Sequence, residues 1–193
     1  MSSHVLSGEL YLKTQNHIRP QPVALRFEFR VLTFDISVLS YSLITMIDLH
    51  THTLLSDGVL VPSELIRRAR VKGYTAIALT DHADESNIES VLKQILKVCL
   101  FYNNAASFIA VPGVELTHIP PKRIPSMVKK ARALGARIVI GHGETVAEPV
   151  EHGTNTAFIK AGVDILAHPG LISAAECRMA RKKRVFFEIT CRH

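Results

Sequence analysis

Cysteine is scarce in this chain: Cys99, Cys177 and Cys191 are widely spaced and no CxxC pair occurs. That spacing speaks against a disulfide framework or a thiolate zinc site, and it fits a reducing compartment. Long apolar runs are missing as well. The stretch from Val38 to Ile47 is short and is broken by Ser40, Tyr41, Ser42 and Thr45, far from the roughly 20 apolar residues that a membrane-spanning helix needs. The first residues carry Glu9, Glu28 and Asp35, with no clear small-residue cleavage site behind an apolar core, so a secretory signal is not the reading either. With no such address, the cytoplasm is the expected location, and no membrane partner is expected. Neither a Gly-x-Ser-x-Gly elbow nor a phosphate-binding Gly-x4-Gly-Lys loop is present, which leaves serine-hydrolase and nucleoside-triphosphatase chemistry without support.

What is present suffices for a real core. The 193 residues are 47% hydrophobic and 21% charged, the balance of one globular domain. A formal charge of +6 suits an anionic substrate and leaves nucleic acid open, but it says little about fold.

From Met46 onward, strand-like runs alternate with helix-like ones, the pattern of βαβ units and a parallel sheet. Six strands begin near residues 46, 75, 108, 137, 163 and 185, the last being Val185 to Thr190. In the gaps, Pro62 opens a helix with Leu65, Ile66 and Ala69 on one face before Gly73. Ser86-Asn87-Ile88-Glu89 has capping-box spacing and leads to Ile88, Val91, Leu92, Ile95 and Cys99 at helical intervals. Ile124, Met127, Val128, Ala131 and Leu134 form a third stripe ended by Gly135. Thr156 to Lys160 reads as a short helix before Gly162, and Ser173-Ala174-Ala175-Glu176 repeats the capping-box signal. The six strands leave a free edge, because a closed barrel needs more of them. Before Met46 the chain reads differently. Val23, Leu25, Phe27, Phe29 and Val31 alternate with polar or small residues as in a half-buried strand, so residues 1–45 are either an overextended start or an added strand or hairpin.

Acid or imidazole residues follow almost every apolar run. Ile47-Asp48-Leu49 leads to His50 and His52, Ala76 to Thr80 leads to Asp81-His82, and Phe108 to Val114 leads to Glu115. Ile138-Val139-Ile140 leads to Gly141-His142, and Val163 to Leu166 leads to Ala167-His168. In parallel β/α proteins, residues just past the strand ends gather on one rim, where active sites form. His50 and His52, two apart, project to the same side of an extended chain, so both imidazoles can reach one cation. Nitrogen and oxygen donors converging from several strands suit a divalent ion, and a carboxylate such as Glu115 has two oxygens with which to bridge a pair. Asp57, before Gly58, reads either as a ligand or as a turn residue. Asp81 reads as an orienting acceptor or turn residue, and His118 and Glu144, near the rim, as solvent-exposed loop residues or as substrate contacts. The basic run Arg178, Arg181, Lys182, Lys183 and Arg184 reads either as a solvated helix terminus whose charge suits the dipole or as a patch that attracts phosphate or nucleic acid, the first being the commoner case.

Taken in order, Ile47-Asp48-Leu49-His50-Thr51-His52-Thr53, Ser56-Asp57-Gly58, Leu79-Thr80-Asp81-His82, Pro112-Gly113-Val114-Glu115, Gly141-His142-Gly143-Glu144 and Ala167-His168-Pro169 resemble the PHP (polymerase and histidinol phosphatase) family over residues 46 to about 190. Gly113-Val114-Glu115-Leu116-Thr117-His118 is similar to its stand-alone histidinol-phosphatase-like members. The resemblance implies an α/β fold, here an incomplete distorted (β/α)7 barrel of six parallel strands with intervening helices. It makes residues 46–193 a hydrolase domain lacking its last strands. It implies two or three Zn, Mn or Fe ions, with His50 and His52 on the first, Glu115 bridging to the second, His142 and His168 on the second, and Asp57 and His82 on a third.

The activity implied is hydrolysis of a phosphorylated small molecule, a phosphate monoester attacked by a hydroxide held between ions, with Glu115 and His142 as catalytic residues. The family also has a late Asp-x-His pair that completes the first and third metals, and no such pair follows residue 168 here. Two further readings therefore stand beside the phosphatase: a non-catalytic remnant with partial metal binding, and a nuclease like the PHP domains attached to DNA polymerases.

Overall fold

The computed structural model describes residues 46–103 and 108–190. The alternating run from Val23 to Val31, and with it the division at residue 45, lies outside the described residues. In chain order the elements are β1 (Met46–Asp48), α1 (Pro62–Val71), β2 (Tyr74–Leu79), β3 (His82–Ala83), α2 (Ile88–Asn103), β4 (Ile109–Leu116), α3 (Ile124–Ala133), β5 (Ile138–His142), α4 (Thr154–Ala161), β6 (Ile165–Ala167), α5 (Ala174–Lys183) and β7 (Phe186–Glu188). Six strands pair in the order β1-β2-β4-β5-β6-β7, all in parallel. Parallel pairing brings the C-terminal ends of all six strands to one rim. The sheet has the expected α/β architecture of parallel strands with intervening helices, and among the described residues β1 and β7 are its outermost strands.

One strand was not expected. β3 is a two-residue continuation of the β2 chain that pairs with β4, His82 opposite Glu115 and Ala83 opposite Leu116. Thr80 N donates to Thr51 O at 2.8 Å on the β1 side, while Glu115 N donates to Asp81 O at 3.1 Å, so β3 carries the β2–β4 pairing on in the same register to the rim.

The apolar stripes read from sequence are the buried faces of the helices. Val91, Ile95 and Cys99 of α2 pack with Ile66, Ile77, Leu79 and Ala110, while Ile88 and Leu92 of the same helix join Val114, Leu116, Ile124, Met127, Val139, Phe158 and Leu166. Each fully buried Leu, Ile or Phe contributes about 1.5–3 kcal/mol by leaving water, and together they hold the helices against the sheet.

Helix ends follow local chemistry, with two departures. At α5 the capping box forms: Glu176 N donates to Ser173 Oγ at 3.2 Å, and Ser173 N donates to Glu176 Oε2 at 3.0 Å. At α2 the box expected from Ser86 to Glu89 does not form. Asp84 Oδ1 takes both the amide and the hydroxyl of Ser86, while Asp84 N donates to Asn87 Oδ1 at 2.9 Å and Glu89 pairs with Lys130 at 3.1 Å. Helix α4 begins two residues before the expected Thr156 because Glu144, from the loop after β5, accepts from Gly153 N and Asn155 N at 3.0 and 2.8 Å. Gly162, at φ 76°, ends that helix in a left-handed conformation that a side chain would disfavour.

Candidate metal centre

The segment that carries the first two imidazoles is fastened by a buried carboxylate. Asp81, at the end of β2, accepts from Thr53 N at 2.7 Å, from Thr53 Oγ1 at 2.9 Å and from Ser56 Oγ at 2.8 Å. Asp81 is thus an anchor for the loop after β1. Gly58 closes the same loop: a Cβ there would lie 2.3 Å from His52 O, so only glycine allows the chain to turn back on itself. The turn returns Asp57 to His52, with Oδ1 2.7 Å from Nδ1.

Four imidazoles surround one carboxylate. Glu115, at the end of β4, is fully buried. Its Oε2 lies 3.1 Å from His50 Nε2, 3.0 Å from His52 Nε2 and 3.0 Å from His82 Nδ1, and its Oε1 lies 3.4 Å from His168 Nε2. His50 Nε2 and His52 Nε2 are 3.1 Å apart. These separations are short, yet neither Glu115 oxygen receives a well-directed hydrogen bond, and buried His142 Nδ1 has none. Buried polar atoms are almost always paired, because an unpaired buried charge costs several kcal/mol. Imidazoles that crowd around carboxylate oxygens left without a directed bond have the arrangement of ligands around a cation.

Three donor groups, each spanning no more than 4.8 Å, arise in this way: His50, His52 and Glu115; Glu115, His142 and His168; and His52, Asp57 and His82. All seven residues expected as ligands are therefore brought together on the rim. The first two groups share Glu115, and the first and third share His52. Asp57 is the most open member, with 64% of its side chain exposed, and its Oδ2 is 3.9 Å from His82 Nε2.

The electrostatics follow from the crowding. Burial pushes the Glu115 carboxyl upward, but the imidazoles, His50 foremost, outweigh it and hold the group well below the usual carboxylate range. Burial likewise opposes a charge on His50, yet Glu115 and then Glu188 raise its pKa to about 10. His142 is driven the other way, down to about 4, by burial, with neighbouring His168 and His82 also opposing its protonation against the pull of Glu115. A neutral imidazole is the form that binds metal.

Three participants escaped the sequence reading. Glu188, at the end of β7, places Oε2 against His50 Nδ1. Thr117 Oγ1 lies 2.5 Å from His82 Nδ1. Glu148, in the loop after β5, sits 3.4 Å from His142 Nε2 and 3.3 Å from His118 Nε2. Glu188 was within reach of the rule that found the others, since it too closes an apolar run, Val185-Phe186-Phe187. Glu148 had no such signal, because only the folding of two loops brings it near. His118 stacks on His142 at 5.5 Å between ring centroids, whereas Glu144 turns away to cap α4.

Imidazoles gathered around a buried carboxylate at the ends of parallel strands give this α/β domain the layout of a metal centre. The PHP domain matches residues 48–189, and the chain belongs to that family. The uncharacterized protein MJ1295 of Methanocaldococcus jannaschii is 51% identical over 150 residues, which cover 75% of this chain and 67% of that protein. A 5'-3' exoribonuclease of Haemophilus influenzae is 31% identical over 105 residues, 50% of this chain and 38% of the enzyme. The 5'-3' exoribonuclease Rnm of Salmonella typhimurium is 35% identical over 72 residues, covering 37% of this chain and 22% of the enzyme. The matched part is thus well under half of either exoribonuclease.

Proposed function

We propose that this chain is a metal-dependent phosphoesterase acting on phosphate monoesters, with two divalent ions held by the groups that share Glu115. The observation that carries the reading is the buried Glu115 carboxylate, ringed by His50, His52, His82 and His168 at 3.0–3.4 Å without a well-directed hydrogen bond. The donor chemistry fits: imidazole nitrogen with carboxylate oxygen is the set that Zn, Mn and Fe accept. Such ions, when bound, supply an acidified water and neutralise charge on the transferring phosphoryl group.

The chain's own residues do the rest. His50 and His52 offer Nε2 to one group, His142 and His168 serve the other, and Glu115 belongs to both, fixing their separation. Asp57 and His82 extend the centre toward solvent, on the side open to an incoming phosphate. His142, neutral because its pKa is depressed, is available as a donor at physiological pH.

A nuclease is the second reading, favoured by the two exoribonucleases that share 31% and 35% identity with parts of this chain. The two differ in the ester they cleave. Protein loaded with Mn or Zn should be offered p-nitrophenyl phosphate, bis(p-nitrophenyl) phosphate and 5'-phosphorylated RNA. Turnover of the monoester alone supports the phosphatase, and shortening of the RNA from its 5' end supports the nuclease. Inertness toward all three with metal bound would leave the chain a metal-binding remnant.

A further inference from the structure

We propose that Glu188 is a positioning residue for His50, holding the ring with Nδ1 protonated so that Nε2 is presented to the metal group it shares with His52 and Glu115. The inference rests on the metal reading of that group and adds to it a residue outside the expected ligand set. His50 has two ring nitrogens with opposite surroundings. Nε2 faces inward, 3.1 Å from both Glu115 Oε2 and His52 Nε2. Nδ1 faces the other way, and Glu188 Oε2 lies against it. An imidazole whose Nδ1–H is donated to a carboxylate has its lone pair confined to Nε2, and its ring orientation is fixed.

Placement strengthens the assignment. Glu188 ends β7 and His50 follows β1, the outermost strands of the sheet among the described residues, so their contact joins strand ends that share no ladder. The backbone of Glu188 serves the neighbouring ligand as well: His168 N donates to Glu188 O at 3.0 Å, directly beside the pairing of Glu188 with Ala167. One residue thereby sets the ring of His50 with its side chain and the entry to His168 with its main chain. With 17% of its side chain exposed, Glu188 is shielded enough for a directed bond to persist. The converging trio comprises His50, His52 and Glu115, and Glu188 approaches it from behind His50.

The same geometry recurs at His52, whose Nε2 faces Glu115 while Nδ1 meets Asp57. Asp57, however, is largely exposed, so the firmer support belongs to His50.

The test uses the full chain and zinc, with affinity measured by competition against a chromophoric chelator. Glu188→Ala should weaken zinc binding by roughly 10–100-fold, whereas Glu188→Gln, whose amide oxygen still accepts from Nδ1–H, should recover most of that loss. In the zinc-loaded protein the His50 Nδ1–H proton, assigned with the help of a His50→Gln variant, should resonate downfield and move upfield in Glu188→Gln. Melting of the metal-free variants separates a purely structural contribution, which would lower stability without moving that proton. Should Glu188→Ala fail to fold, the proton shift in Glu188→Gln decides alone. Zinc affinity unchanged in Glu188→Ala, or a His50 Nδ1–H that stays in place in Glu188→Gln, overturns the assignment while leaving the metal centre intact. Failure of the unaltered chain to bind zinc overturns both.

Discussion

His50 and His52, two residues apart on the segment after β1, direct both Nε2 atoms at a single oxygen of Glu115, at 3.1 and 3.0 Å. The alternation of an extended chain places the two rings on one side, and β4 supplies the carboxylate they meet. Changing Glu115 to Gln keeps the shape and removes the charge shared by two donor groups. Turnover of a phosphate ester by metal-loaded protein should then fall by about 100-fold or more, equivalent to about 2.7 kcal/mol of transition-state stabilisation. Activity retained by a Glu115→Gln variant with its metal content intact would falsify the bridging role.

Metal removal should cost stability, because a cation that binds only the folded centre adds to the free energy of unfolding. At a free metal concentration 100 times Kd that addition is about 2.7 kcal/mol. For a chain of this size it corresponds to a rise in Tm of roughly 5–10 °C. Differential scanning fluorimetry with chelator and with excess Mn or Zn measures it, and coincident melting curves would count against a folded-state site.

Without metal, the cluster should make stability fall on both sides of neutrality. His142 has a folded pKa of about 4 against an ordinary 6.5, so between those values the unfolded chain binds more protons and stability drops as pH falls. His50 has a folded pKa of about 10 against 6.5, so its contribution is complete below pH 6.5 and is lost as pH rises toward 10. Glu115, held low, adds stability above its ordinary 4.5 that disappears as pH falls through its depressed folded value. Thermal melts of metal-free protein from pH 4 to 10 should therefore peak near neutrality. His142→Gln should flatten the limb between pH 4 and 6.5, and an unchanged limb would place the titrating group elsewhere.

Thiol reactivity should separate two of the cysteines. Cys99 lies on the buried face of α2, and burial pushes its pKa up to about 12, whereas Cys177 on α5 is exposed. Iodoacetamide at pH 8 should label Cys177 in the native protein and Cys99 only after denaturation, as read by peptide mass spectrometry. Equal labelling rates would contradict the packing of α2.

The capping box at α5 offers a check on local structure. Ser173→Ala removes the acceptor for Glu176 N and should cost about 1 kcal/mol, a fall in Tm of roughly 2–4 °C. Zinc affinity should not change, since the box touches none of the donor groups.

The strand starts near residues 46, 75, 108, 137, 163 and 185 and the apolar helix faces were legible because hydrophobic period and strand length are local properties. Six of the seven candidate ligands were legible for a related reason: each lies just past or at the end of a β-run, and parallel pairing brings such positions to one rim, whereas Asp57 sits in the loop between β1 and α1 and was read from the family resemblance. The capping box at Ser86 misled because Asp84, two residues upstream, competes for the same serine, and spacing cannot rank two local acceptors. The start of α4 was hidden in Glu144, ten residues before Thr154 and in contact only after the loop folds back.

Sequence alone determined the order of strands and helices, the faces that are buried and the chemical types delivered to the rim, all of which depend on near neighbours in the chain. Tertiary structure decided which nitrogen of His50 points inward, that Glu188 and Glu148 join the centre, and that Asp81 anchors a loop while Asp57 meets His52. Those outcomes depend on distances between segments separated by up to 138 residues. Such distances are set by the curl of the sheet and the packing of the helices, which no local pattern encodes.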